Sequence, residues 1–246
     1  MPKYFNSASR ILTLLNQVLS LPNEMVVAEA WAKTFDIVET NTNKKYSLVS
    51  ERLGWMRREV EILSTQMTNT NISPELYNDP LTRIEHALSI MILGGRTEQV
   101  KQYLGRETIV ALSFCADILS DEESEISTNN LTEIREKVEE LRASLNESSI
   151  SLRLRQLLQH HIDLIEHALA EYPISGAKAL REAARTGLGE IIEIKDEVKQ
   201  GSDSLPIGKL AAVWKKFNEV ADNALKAEKI ARLGQKAWEV IENFLP

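Results

Sequence analysis

The chain has a single cysteine, Cys115, among its 246 residues. An internal disulfide is therefore impossible, and a cysteine-based zinc site is excluded. Glycine (10) and proline (7) are too scarce for an all-β sandwich, which needs turn residues at short, regular intervals. Long hydrophobic runs are missing. The best stretch, Ile84 to Leu93, contains Glu85 and His86 and falls short of the ~20 apolar residues of a membrane span. Asn6, Ser7, Thr13 and Gln17 interrupt the first apolar segment, which lacks the clean apolar centre and small-residue cleavage site of a signal peptide. These absences predict a cytoplasmic protein with no membrane span. Phosphate-cradling glycine loops and the G-x-S-x-G elbow of serine hydrolases are also missing, and no cofactor is expected.

What is present is an ordinary globular composition, 43% hydrophobic and 26% charged, with a net charge of −7. Such a chain can bury a substantial core unaided. Phosphate contacts dominate nucleic-acid affinity, so the acidic balance predicts no nucleic-acid partner. The acidity is uneven. Between Asp117 and Glu147 ten acidic residues face only Arg135, Lys137 and Arg142. Asp121, Glu122, Glu123 and Glu125 form its densest part, a candidate docking surface for a basic protein partner.

Apolar residues recur at helical spacing almost throughout. Asn6 or Ser7 can cap a first helix carrying Ile11, Leu15 and Val18, and Leu21-Pro22 ends it. A second helix carries Val27, Ala30, Trp31 and Phe35, with a break at Asn41-Thr42-Asn43. Tyr46, Val49, Leu53, Met56, Val60, Leu63 and Met67 then alternate three and four apart, a strict heptad seam. Leu131, Ile134, Val138, Leu141 and Leu145 repeat the alternation. Both seams are short for independent coiled coils and predict packing within the chain. Further helices are expected over Leu81–Leu93, closed by Gly94-Gly95, over Thr97–Leu119 with a break at Gly105, over Ile150–Glu171 ended by Pro173, and over Ala177–Lys199. A final helical region opens at Pro206, and the amphipathic end carries Trp238, Ile241 and Phe244. The fold class is all-α: a multi-helix bundle of about nine to eleven helices, arranged as two stacked helical subdomains or one body. The expected division is 1–119, an acidic polar connector over 120–130, and 131–246. Ile84-Glu85-His86-Ala87-Leu88 recurs as Ile165-Glu166-His167-Ala168-Leu169, either an old duplication or two similar helices.

Four histidines are the scarce reactive groups. His161 falls on the apolar face of its helix with Leu154, Leu158, Ile162 and Ile165, which predicts a buried imidazole hydrogen-bonded to a neighbour. His160, Asp163 and His167 share the opposite face, a weak candidate set for a divalent metal that would need carboxylates from another helix. Arg155 and His160 stand in R-x4-H spacing, RQLLQH. This resembles the R-x4-6-H signature of the HEPN ribonucleases, small all-α bundles that cleave RNA without metal across a dimer interface. The resemblance covers one helix, and it implies that Arg155 steadies the phosphate and His160 acts as general acid or base. Cys115 lies in the apolar run IVALSFCADIL and reads as a core thiol.

Trp214 and Phe217 fall in the stripe of Leu210, Val213 and Val220 and read as core. Trp55 lies off the heptad seam beside Arg57 and Arg58, a candidate exposed interface anchor. The function these features favour is a non-catalytic interaction module, an adaptor, regulatory or immunity-type subunit that binds a protein partner or a second copy of itself. The alternative is a HEPN-like ribonuclease of a defence or toxin system.

Overall fold

The structure is a computed structural model, and it describes residues 5–147, 150–193 and 205–224. The protein is an all-α multi-helix bundle: ten α-helices and no strand among the described residues, with one isolated bridge between Val26 and Arg96. The segments around Lys226 and Trp238 lie outside the described residues. The chain divides into two compact units. Unit 1 comprises residues 1–122 and 173–176, and unit 2 comprises 123–172 and 177–246. The division falls inside the acidic 120–130 stretch.

Unit 1 holds six helices: α1 Ser7–Ser20, α2 Val27–Thr34, α3 Thr42–Thr68, α4 Asn78–Ala87, α5 Thr97–Tyr103 and α6 Arg106–Ile118. Helix α1 starts with a reciprocal cap. The Asn6 side chain accepts the Ser9 N–H at 3.0 Å, and the Ser9 hydroxyl accepts the Asn6 N–H at 3.1 Å. The Asn6 amide then donates to the carbonyls of Ala116 and Leu119 at the end of α6, at 3.0 and 3.1 Å. One side chain thus satisfies orphan groups at two helix ends. Helix α3 presents its heptad seam inward, with Val49, Leu53, Met56, Val60, Leu63 and Met67 all fully buried. It packs on α1, α2 and α4. Trp31 and Phe35 stack within the same core, ring centres 5.4 Å apart.

Unit 2 holds α7 Thr128–Glu147, α8 Leu152–Ser175 as far as Tyr172, α9 Ala177–Glu193 and α10 Leu205–Ala224. One core joins the second seam (Ile134, Val138, Leu141, Leu145) to Leu158, Ile162, Leu180, Leu188, Trp214 and Phe217. Helix α10 packs on α7 and α9. Burying each of these large side chains stabilises the unit by about 1.5–3 kcal/mol relative to exposure.

Three expected boundaries are corrected. At 41–43 only Asn41 lies outside the helix; it caps α3, accepting the Lys44 N–H at 3.0 Å. Helix α4 stops at Ala87 rather than Leu93, because the Ser89 hydroxyl accepts the Met91 N–H and restarts the chain as a short 3-10 turn over Ile90–Ile92. Pro173 does not end α8, which runs through it to Ser175. Proline near a C-terminus removes one hydrogen bond but keeps a helical φ. The stop is Gly176 at φ 70°, a left-handed conformation that suits glycine.

Candidate functional site

The acidic stretch was the first candidate, and three of its four carboxylates prove to be turned inward. In unit 1 Asp121 accepts the N–H of Phe5 at 2.8 Å. Glu122 accepts the Ser7 hydroxyl and a Gln66 amide N–H, both at 2.8 Å, and pairs with Arg10 at 2.8 Å. In unit 2 Glu123 is buried and accepts the N–H of Ala177, the first residue of α9. Acidic groups at helix N-termini satisfy orphan donors and complement the helix dipole. Of the four residues of the candidate docking surface, Asp121, Glu122, Glu123 and Glu125, only Glu125 is exposed.

Arg10 is the centre of this arrangement in unit 1. Its guanidinium reaches Glu59 at 3.2 Å as well as Glu122, and its Nε donates to the Ile174 carbonyl at 3.1 Å. The Glu59 side chain is fully buried and that of Arg10 nearly so. Burial alone would raise the Glu122 carboxyl. The Arg10 charge and the bonds from Gln66, Arg10 and Ser7 outweigh it and hold the group at about 2. Sequence reasoning missed this cluster. Its signal was Glu59, a carboxylate on the apolar face of α3 between Met56 and Leu63.

Trp55 is buried, 7% exposed, with the Arg52 guanidinium 5.5 Å from its ring centre. The exposed anchor expected there is corrected. Arg57 is half-buried and Arg58 exposed on the same helix. The thiol of Cys115 is buried, and that burial, partly offset by a hydrogen bond to its own backbone, pushes it up to about 11.

In unit 2 the helix α8 positions the histidines. His160 is exposed, and its Nε2 meets the Glu190 carboxylate of α9 at 3.0 Å. Arg155 donates to the Leu145 carbonyl at the end of α7. The structure thus directs Arg155 and His160 to different partners and does not bring them together within the chain. Asp163 accepts from Gln159 one turn back, at 2.7 Å, and His167 is exposed. Among the described residues no three His, Cys, Asp or Glu side chains converge as a metal site. His161 is wholly buried, and neither ring nitrogen has a hydrogen-bond partner, so the expected bonded imidazole is corrected. Its ring stands edge-on to Trp214, with centres 5.8 Å apart at 87°. Both copies of the recurring IEHAL pentapeptide bury Ile, Ala and Leu and expose His, but α4 ends within its copy while α8 continues.

No helix among the described residues is long and apolar enough to cross a membrane. Among the described residues, exposed large apolar side chains stand next to one another at Ile90 and Met91 in the short 3-10 turn and on α6. On that helix Val110 and Phe114, one turn apart, are 58% and 42% exposed, while Leu112, Cys115 and Ala116 on the other face are buried. The fold defines the class of protein, an all-α multi-helix bundle. Comparison with protein families, with curated proteins and with solved structures gives no match to the chain.

Proposed function

We propose that the protein is a non-catalytic helical interaction module, an adaptor or regulatory subunit that works by docking a protein partner. The observation that carries this reading is the α6 face bearing Val110 and Phe114. Two large apolar side chains on successive turns cost free energy in water, and covering what remains exposed of each returns roughly 1 kcal/mol. Apolar residues presented together on one helix face suit a helix-docked partner. The test is native mass spectrometry of complexes purified gently from native cells, for the wild type and for Val110→Asp/Phe114→Asp. A second polypeptide or a second copy at fixed stoichiometry, lost in the variant at an unchanged melting midpoint, supports the reading. A bare wild-type monomer, or a partner that the variant keeps, overturns it.

One observation favours a second reading, the HEPN-like ribonuclease. A carboxylate 3.0 Å from an exposed imidazole, as Glu190 is from His160, orients the ring for general acid–base work. RNA cleavage by homogeneous protein that His160→Ala abolishes supports this reading. Equal cleavage by wild type and variant, or none by either, sinks it.

A further inference from the structure

Among its described residues, unit 2 buries four side-chain nitrogens without partners, Arg181 Nε and three on aromatic rings that stand together. His161 leaves Nδ1 and Nε2 without partners, and Trp214, against which it stands, leaves Nε1 without one. Phe217 continues the cluster 5.3 Å beyond. A neutral imidazole is tolerated here as one more ring. An imidazolium is not, because it would bring a buried charge and N–H donors with no acceptor. A cation–π contact with the indole returns less than the desolvation of a buried charge costs. We propose that unit 2 carries a proton-operated release, in which weak acid protonates His161 and loosens α8 from α10 while unit 1 stays folded.

The groups facing His161 fit this role. From its own helix comes His160, 5.8 Å away ring to ring, which adds a like charge when protonated. From α9 comes Glu190, already engaged by His160 at 3.0 Å. From α10 comes the ring of Trp214, with Phe217 packed on its far side, and no charge on α7 or α10 acts on the imidazole. Burial lowers the imidazole; Glu190 raises it in part and His160 lowers it again, leaving it at about 4 against an ordinary 6.5. A depressed histidine binds protons more readily once released into water. Its contribution to stability is complete above 6.5 and is lost as pH falls toward 4. Between about pH 7 and about pH 5 the opening equilibrium of unit 2 rises roughly twentyfold.

Hydrogen–deuterium exchange of the whole chain at about pH 7 and about pH 5, corrected for intrinsic rates, tests this directly. The expected result is a roughly twentyfold gain of opening in peptides from α8 and α10, with α1 and α3 unchanged. His161→Leu should abolish the step. Equal protection at the two pH values, or an undiminished step in His161→Leu, overturns the proposal. Should the variant not fold, histidine-selective NMR of the wild type decides. A ring that stays neutral until the unit opens supports the release; a ring protonated in the folded protein near pH 6 overturns it.

Discussion

A Cβ atom added to Gly187 would stand 2.2 Å from Cζ2 of Trp214, so the indole of α10 occupies space that a side chain on α9 would otherwise fill. Replacing a helical glycine by alanine ordinarily gains up to about 1 kcal/mol. Here the indole is wholly buried and cannot swing aside, and overpacking costs about 1–3 kcal/mol. Gly187→Ala should lose about 1–2 kcal/mol in urea titrations. Gly189 has nothing within 4 Å and is the control: Gly189→Ala should be neutral or stabilising. The reverse order of the two variants would show that the indole yields.

Arg10→Met should be far more damaging than an ordinary surface charge removal. It leaves Glu59 and Glu122 without the cation between them, a loss of about 3–5 kcal/mol. The pH dependence should change as well. The Glu122 carboxyl, held at about 2 against an ordinary 4.5, contributes stability that is present above 4.5 and disappears as pH falls toward 2. Urea midpoints at about pH 6 and about pH 3 should differ strongly in the wild type and little in the variant. Equal differences would mean that Arg10 is not what holds Glu122.

Glu123→Ala should weaken the start of α9. The carboxylate that receives the Ala177 N–H acts as a cap, and losing a cap costs about 0.5–2 kcal/mol. Because Glu123 is buried, added salt should not reproduce the effect. Faster amide exchange confined to the first turn of α9 is the expected signature. Unchanged protection there would remove Glu123 from that role.

Cys115 should be silent toward thiol reagents in the native protein. With the thiol pushed up to about 11, only about one part in a thousand is thiolate near pH 8, and the sulfur is buried besides. Labelling should track urea unfolding of the chain. Rapid stoichiometric labelling without denaturant would contradict this placement.

The helices were legible because apolar spacing is a local property. Val49 to Met67 and Ile134 to Leu145 announce their buried faces in sequence alone. Gly187 lies inside an unbroken α9, and only the position of Trp214 explains a glycine there. Proline was over-read at Pro173, where Gly176 three residues on provides the real stop. The candidate sites were less legible. Asp121, Glu122 and Glu123 look solvated in a list of charges, because nothing local says that the N–H groups of Phe5, Ser7 and Ala177 lie beside them. Arg10 and Glu59 are 49 positions apart, and only the packing of α1 on α3 joins them.

Unit 1 is not a continuous stretch of chain. Its first 122 residues are joined by 173–176, whose Ile174 carbonyl receives the Arg10 guanidinium. No single peptide bond can therefore be cut to yield two intact halves. A fragment ending at 122 keeps Glu59 and Glu122 for Arg10 but lacks the Ile174 carbonyl, and a fragment beginning at 123 carries that acceptor away with it. Expression of separate pieces, or their exchange between related genes, has to respect this interleaving of the chain.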